Sequence, residues 1–201
     1  MFDVFLDVAQ IVTMTEAEGP GRRFALWFQG CPLRCPGCCN PEMLPFAGGT
    51  RMTLAEVLGP LHAAKEDQAI DGITLLGGEP FAHASGASAL AEAAHTLDLS
   101  VMIFTGFPLE TLRASPDPGV VALLTHTDIL VDGPYLRALP ETRRRWIGSA
   151  NQRVHFLSGR CAPDDPRWRL PNTLEIRLKD GEVSVNGYPA ARAIGLWKRL
   201  V

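Results

Sequence analysis

The first two thirds of the chain alternate between short apolar runs and longer amphipathic stretches. The runs VFLDVAQIV and FALWFQG predict two early strands, because apolar and aromatic residues dominate them and glycine or acidic residues bound them. Three later runs, GITLLGG, SVMIFTG and DILVDGP, predict further buried strands. Helices are predicted at TLAEVLGPLHAAK, at ASGASALAEAAHTL and from Pro108 to about His126. This alternation predicts an α/β fold with a parallel sheet covered by helices.

The first predicted helix has a clear start and an internal interruption. Thr53 is a suitable N-cap and Glu56 follows three residues later, which is the pattern of a capping box. Gly59 and Pro60 are expected to break or kink this helix.

The last third of the chain has a different pattern. A strand is predicted within PETRRRWIGSANQRVHFLS, and a proline-rich connector, PDDPRWRLPN, follows it. The segment NTLEIRLKDGEVSVNG predicts a β-hairpin whose turn is Asp180-Gly181. We interpret residues 1–201 as one domain, with a core at about 18–158 and a C-terminal appendage at about 159–201.

Composition restricts the class of protein further. The chain has 46% hydrophobic and 20% charged residues, as ordinary globular domains do. Its net charge of −3 does not indicate the positively charged surface that nucleic-acid binding requires. No apolar run is long enough to span a membrane, and the N-terminus has no signal-peptide pattern. We therefore expect a cytoplasmic protein with neither nucleic acid nor membrane as a partner, in which clustered cysteines serve metal binding or redox chemistry.

Four of the five cysteines lie in one loop, GCPLRCPGCCNPE, directly after the second predicted strand. Cys31, Cys35 and Cys38 have the spacing C-x3-C-x2-C, and glycine and prolines favour a tight turn over a helix. Thiolates suit iron–sulfur clusters and zinc, but structural zinc usually has two separated ligand pairs, and no second C-x-x-C pair exists here. The spacing favours an iron–sulfur cluster; zinc, a redox dithiol and a chance cluster remain alternatives. A four-iron cluster with three cysteine ligands would leave one iron open to a small molecule.

Three strand ends carry further candidate residues. In GGEP, residues 77–80, the glycines permit close backbone approach to a ligand, and Glu79 offers a carboxylate. A strand-to-helix turn with Glu79 as a helix cap explains the same residues. Thr105-Gly106 and Asp132-Gly133 end the next two strands, on the same rim as the cysteines, and ordinary turn chemistry explains each equally well.

Together these motifs resemble the radical S-adenosylmethionine superfamily. More narrowly, the segments EGPGRRFALWFQGCPLRCPGCCNPE, LLGGEPF, FTGF, DILVDGPY and WIGSANQRV resemble the activating enzymes of class III anaerobic ribonucleotide reductase and other glycyl-radical-enzyme activases. The matching segments run in order from about Glu18 to Arg153.

The resemblance implies a compact, partial (β/α)6-type barrel with a C-terminal β-hairpin appendage. It implies a [4Fe-4S] cluster on Cys31, Cys35 and Cys38, whose fourth iron binds the amine and carboxylate of S-adenosyl-L-methionine. The residues that it implies for binding this cofactor are Gly37, Cys39, Gly77, Gly78, Glu79, Thr105, Asp132 and Asn151. The backbone at 37–39 would lie near the adenine and that at 77–79 would bind the methionyl amine. No catalytic side chain is assigned.

The function implied is that of an anaerobic oxidoreductase. Reductive cleavage of S-adenosylmethionine would form a 5′-deoxyadenosyl radical, which would install a glycyl radical on a partner enzyme such as anaerobic ribonucleotide reductase. An electron donor of the flavodoxin or ferredoxin type is implied as well. The alternatives are a radical enzyme that acts on a peptide or small molecule, and a non-catalytic iron–sulfur electron-transfer module.

The remaining two cysteines are expected not to bind metal. Cys39 departs from the family, which commonly has histidine or an aromatic residue at this position, and as a fourth ligand it would close the open iron. We expect it either to contact the cofactor or to act as a small apolar filler. Cys161 is isolated in the proline-rich connector and is expected to be structural.

Overall fold

A computed structural model of the chain describes residues 4–179 and 182–187. The strands are β1 (Phe5–Thr15), β2 (Arg23–Phe28), β3 (Thr50–Thr53), β4 (Gly72–Gly77), β5 (Ser100–Phe104), β6 (Ile129–Asp132), β7 (Arg153–Phe156), β8 (Leu174–Lys179) and β9 (Glu182–Gly187). The α-helices are α1 (Leu54–Gln68), α2 (Ala84–Thr96), α3 (Leu109–Arg113) and α4 (Pro118–Thr125).

Seven strands form one mixed sheet in the order β3-β1-β2-β4-β5-β6-β7. Its centre is parallel, with β2 beside β4, β4 beside β5 and β5 beside β6. Antiparallel strands extend both sides, β1 and β3 on one and β7 on the other. Because β2, β4, β5 and β6 run parallel, their carboxyl ends meet at one edge, where ligands bind in folds of this kind.

The apolar strands and helix faces predicted from the sequence form the core. All six residues of β2 are buried, as are the first five of β4, which is why both read as continuous apolar runs. Helix α2 packs its small, buried alanine face close to the sheet. The alternating α/β pattern with a parallel centre is therefore confirmed.

Helix α1 begins as predicted but does not break. Thr53 accepts a hydrogen bond from the backbone N–H of Glu56, whose carboxylate in turn accepts the backbone N–H of Thr53. The helix continues through Pro60 to Gln68, so the predicted break is wrong. Buried Val57 and Leu61 flank the proline, and their packing outweighs the loss of one backbone hydrogen bond.

The helical stretch predicted from 108 to 126 forms two helices, α3 and α4, and Asp117 caps the second by accepting the N–H of Gly119 at 2.8 Å. Two details differ from the sequence prediction. The edge strand β3 was not predicted. The partial (β/α)6 barrel is not confirmed in the described residues, where four strands are parallel and antiparallel strands flank them.

The C-terminal appendage contains the predicted hairpin. Strands β8 and β9 pair antiparallel from Leu174 opposite Gly187 to Lys179 opposite Glu182. The predicted turn, Asp180-Gly181, lies outside the described residues. Hydrogen bonds join the hairpin to the end of β1 and the segment after it, including one of 2.8 Å from the N–H of Glu16 to Glu175. The hairpin is thus a second, two-stranded sheet attached to the main one.

Within the described residues, no helix has the length and apolar character that crossing a membrane requires.

Candidate functional site

A cavity of about 580 Å³ opens at the carboxyl ends of β2, β4 and β5. Its volume lies within the range that small-molecule and cofactor sites occupy. Its walls come from the cysteine loop, from the ends of the central strands, from the 133–152 segment and from the hairpin. The sequence-predicted residues that line it are Cys31, Cys35, Cys38, Cys39, Gly77, Gly78, Glu79 and Thr105. Residues far apart in sequence thus meet in one place, as the strand-end argument predicted.

Backbone hydrogen bonds join the two ends of the cysteine loop to each other. The N–H of Gly30 donates to the carbonyl of Met43 at 2.9 Å, and the N–H of Cys31 donates to that of Leu44 at 3.0 Å. Between these ties, the N–H of Cys38 bonds the carbonyl of Cys35 at 3.1 Å in a tight turn. Gly37 supplies the left-handed conformation in that turn, with φ of 76°. The loop therefore returns upon itself with three cysteines facing one cavity.

The thiols of the loop differ in environment. Cys31 is buried, and burial raises the pKa of its thiol to about 11. A hydrogen bond from the Cys39 thiol lowers the pKa of Cys38 to about 6, and the same contact raises the pKa of Cys39. The contact between the two thiols thus favours the thiolate form of Cys38 over that of Cys39.

The three sulfurs suit a cluster better than a single ion. Among residues 4–179 and 182–187, no group of three or more His, Cys, Asp or Glu side chains is arranged to hold one metal ion. In a four-iron cluster each cysteine binds a different iron, so the sulfurs need not converge on one point. Three thiols that line one cavity are therefore a donor set that suits an iron–sulfur cluster.

The two other cysteines lie in different surroundings. Cys39 is exposed, lines the cavity and is engaged with Cys38. An exposed side chain does not act as an apolar filler, so that expectation is wrong. Cys161 is half-buried and packs against a cluster that includes Met102 and Ile129, away from the cavity, which agrees with a structural role.

The two glycines of GGEP allow close contact between two backbones. A Cβ on Gly78 would lie 2.3 Å from the carbonyl oxygen of Gly30, and Gly77 has φ of 98° against β2. The N–H of Gly78 donates to Phe28 at 2.8 Å, and the N–H of Glu79 donates to Gly30 at 3.0 Å. The need for glycine is thus explained by packing against the start of the cysteine loop. A ligand amine at this turn would have to use carbonyl oxygens.

The Glu79 carboxylate joins the ends of β4 and β5. It is 1% exposed and accepts the N–H of Phe81 at 3.0 Å, the hydroxyl of Thr105 at 2.8 Å and the N–H of Gly106 at 2.9 Å. Burial raises the pKa of this carboxyl to about 7, although the three hydrogen bonds oppose the rise. Both oxygens are occupied by the protein, so the side chain holds the rim of the cavity in shape.

Three sequence-predicted residues do not line the cavity. Asp132 is buried and accepts hydrogen bonds from Leu109 N–H at 2.7 Å and from Arg153, which together hold the pKa of its carboxyl below its usual value even though burial raises it. Asn151 donates to the carbonyl of Pro134 at 2.8 Å. Gly37 lies against Arg137. None of these three is among the residues that line the cavity, and their predicted role in cofactor binding stays a prediction.

Several lining residues were not singled out from the sequence. They are mainly Glu18, Trp27, Tyr135, Trp146, Gln152, Leu174, Val185, Asn186 and Gly187. Glu18 accepts the N–H of Gly187 at 2.6 Å, and burial raises the pKa of its carboxyl to about 7. The position of Glu18 next to the glycines of EGPG was the one available signal. The hairpin residues carried none, because a hairpin pattern does not reveal what it packs against.

Comparison with known proteins identifies the family to which this site belongs. Residues 17–155 match the family described as 4Fe-4S single cluster domain. The anaerobic ribonucleoside-triphosphate reductase-activating protein of Vibrio cholerae is 33% identical over 145 residues, which cover 69% of this chain and 90% of that protein. This chain belongs to the family of anaerobic ribonucleoside-triphosphate reductase-activating proteins. The anaerobic ribonucleoside-triphosphate reductase-activating protein of Escherichia coli K12 is 30% identical over 148 residues, which cover 70% of this chain and 92% of that protein.

A second kind of activase matches a shorter region. The pyruvate formate-lyase-activating enzyme of Listeria monocytogenes is 38% identical over 82 residues, which cover 40% of this chain and 33% of that protein. The matched region of the 4Fe-4S family contains the cysteine loop and the GGEP turn but ends before β8 and β9. The site core is therefore shared with this family, whereas the hairpin lies outside the matched region.

Proposed function

We propose that this chain is a radical S-adenosylmethionine enzyme that installs a glycyl radical on a partner protein. The observation that carries the proposal is the single cavity shared by Cys31, Cys35 and Cys38 and by the GGEP turn. Membership in a family of activating proteins supports the reaction type. The partner would be an anaerobic ribonucleoside-triphosphate reductase, the enzyme that the names of its relatives contain.

Cys31, Cys35 and Cys38 would hold three irons of a [4Fe-4S] cluster. When bound, the reduced cluster would supply one electron and S-adenosylmethionine would supply a carbon–sulfur bond. Cleavage of that bond would give methionine and a carbon radical, which can take a hydrogen atom from glycine. Cys39 would leave the fourth iron free, because a fourth cysteine ligand would close the iron to which the cofactor binds. An electron-transfer module would use a fourth cysteine instead.

The chain's own residues would bind and orient the cofactor. Carbonyl oxygens of the turn at Gly77 and Gly78 could accept hydrogen bonds from the amine of the cofactor, because an amine donates and a carbonyl oxygen accepts. Glu79 would act as a positioning residue, since its carboxylate links this turn to Thr105 and Gly106 on the next strand end. Apolar walls would exclude water from the reacting atoms.

The electron would come from a flavodoxin- or ferredoxin-type donor. Reduction requires that the cluster lie near the surface, and the loop that carries it has exposed positions at Pro36 and Cys39. The cavity thus has an approach from solvent on the cysteine-loop side.

Anaerobic reconstitution tests the proposal at its first step. Reconstituted protein should bind about four irons per chain and, after reduction with dithionite, convert S-adenosylmethionine to methionine and 5′-deoxyadenosine. Protein that binds iron but leaves S-adenosylmethionine intact under strong reductant would contradict the catalytic proposal and favour the electron-transfer alternative.

A further inference from the structure

The two faces of the C-terminal hairpin differ in chemistry. Side chains alternate along a strand, so Leu174, Ile176 and Leu178 share one face of β8. The register of the hairpin places Val185 opposite Ile176 and Val183 opposite Leu178, which adds both valines to that face. We call these five residues the apolar hairpin face. The other face carries Glu175, Arg177 and Asn186.

The polar face fixes the orientation of the hairpin. Arg177 donates to the carbonyl of Met14 at 2.8 Å, and Asn186 donates to the hydroxyl of Thr15 at 2.8 Å. At the inner end, the N–H of Gly187 donates to Glu18 at 2.6 Å. These bonds hold the polar face against residues 14–18, which leaves the outer part of the apolar hairpin face uncovered by that contact.

The apolar hairpin face runs from the cavity into solvent. Its inner residues, Leu174 and Val185, line the cavity that the cysteines share. Its outer residues are largely uncovered in the described part of the chain, with Ile176 63%, Leu178 75% and Val183 61% exposed. Single exposed apolar residues are common, but a contiguous group that leads into a reaction site indicates an interaction surface.

We propose that the apolar hairpin face docks the segment of the partner protein that carries the substrate glycine. The inference rests on the proposed function and adds the surface by which that substrate is recognised. A glycine has no side chain to bind, so affinity must come from the residues beside it. An apolar surface that continues into the cavity can bind those neighbouring residues while the glycine lies inside. The matched family region ends at residue 155, so this surface is an element of the chain outside that shared core.

The test replaces the outer residues without disturbing the hairpin. The triple variant Ile176→Thr, Leu178→Thr, Val183→Thr places a β-branched residue, which favours strands, at each position but removes apolar surface. The control is Val121→Thr on α4, because Val121 is 52% exposed and does not line the cavity. The probe is the purified anaerobic ribonucleoside-triphosphate reductase of the same organism, and its Kd for each reconstituted variant is measured by anaerobic calorimetry.

We expect the triple variant to raise the Kd at least about tenfold, while the control changes it less than about twofold. Iron content and cleavage of S-adenosylmethionine without partner should stay at the wild-type level in both. In wild-type protein, hydrogen exchange of backbone amides in 174–179 and 182–187 should slow when the reductase binds.

The outcomes separate this inference from the proposed function. An unchanged Kd in the triple variant overturns the docking surface, even if the wild type generates the radical. Unchanged hydrogen exchange of the hairpin amides on binding overturns it as well. Unchanged exchange would fit an apolar hairpin face that is covered by the chain's own C-terminal residues. Weakened binding by the triple variant, together with a wild type that binds but generates no radical, upholds the docking surface and contradicts the activase proposal.

Discussion

At the residue scale, Cys39 shows how a neighbouring side chain changes the chemistry of a residue whose role the sequence leaves open. Its position directly after Cys38 places it on the same cavity wall. Its thiol donates to Cys38 and so lowers the pKa of the Cys38 thiol. The same contact raises the pKa of the Cys39 thiol.

Substituting single cysteines should therefore separate ligands from non-ligands. Cys39→Ala is expected to keep about four irons per reconstituted chain, whereas Cys35→Ala should lose most of them. Cys161→Ala, which removes a cysteine outside the cavity, is the control. Iron analysis and the visible absorption of the cluster provide the measurement. Equal loss of iron in Cys39→Ala and Cys35→Ala would point to a four-cysteine cluster instead.

The sequence left open whether Glu79 binds a ligand or caps a helix. In the structure, its carboxylate links the ends of two strands. Glu79→Ala would leave the N–H groups of Phe81 and Gly106 and the hydroxyl of Thr105 without their partner. Because these groups are largely buried, we expect the free energy of unfolding to fall by about 2 to 4 kcal/mol in urea denaturation. The exposed Glu92→Ala on α2 should change it by less than about 0.5 kcal/mol. A similarly small change in Glu79→Ala would show that the carboxylate does not hold the two strand ends together.

The side-chain direction at strand ends limited prediction at this scale. Thr105 and Asp132 both end parallel strands, yet Thr105 lines the cavity and Asp132 turns to the N–H of Leu109 and to Arg153. A strand-end position specifies the rim but not the direction in which a side chain points there. That direction depends on partners such as Arg153, which come from a different part of the chain.

At the element scale, the apolar pattern predicted the central strands, which are buried on both faces of the sheet, and the helices that cover them. It was less successful for the other elements. Strands β2 and β4 were clear from continuous apolar runs, and the capping box marked the start of α1. The break expected at Pro60 did not occur, because buried neighbours keep the helix together. The short edge strand β3 has no buried residue and so carries no apolar signal.

The β8–β9 hairpin is attached to the rest of the protein partly through the carboxyl group of Glu18. Titration of this group should change how tightly the hairpin is attached. Glu18 accepts the N–H of Gly187, and burial raises its pKa from 4.5 to about 7. Between pH 4.5 and about 7, Glu18 binds more protons when the hairpin is attached than when it is detached. The attachment of the hairpin therefore weakens as the pH rises through this range, and it changes little above about 7.

Hydrogen exchange at different pH values tests this link. After correction for the intrinsic exchange rate, backbone amides of β9 in the wild type should be less protected at pH 8 than at pH 5.5, because ionised Glu18 is costly to bury. Glu18→Gln, which cannot ionise, should remove most of this difference. Glu66→Gln, an exposed position on α1, is the control. Equal pH dependence in wild type and Glu18→Gln would exclude Glu18 as the titrating group.

At the scale of the whole molecule, the parallel centre of the sheet explains why distant motifs form one site. The cysteine loop follows β2, GGEP follows β4 and Thr105 follows β5, and these strands are neighbours in the sheet. Their meeting was predictable from the order of strands and helices. The contribution of the hairpin to the cavity was not, since it depends on contacts such as those of Asn186 with Thr15.

The generation of a glycyl radical on the partner tests the central claim most directly. Reconstituted protein, dithionite and S-adenosylmethionine are incubated anaerobically with the anaerobic ribonucleoside-triphosphate reductase of the same organism, and electron paramagnetic resonance spectra are recorded. We predict a doublet signal that collapses to a singlet when the reductase contains glycine deuterated at the α carbon. No radical on the reductase, under conditions in which S-adenosylmethionine is cleaved, would contradict the account.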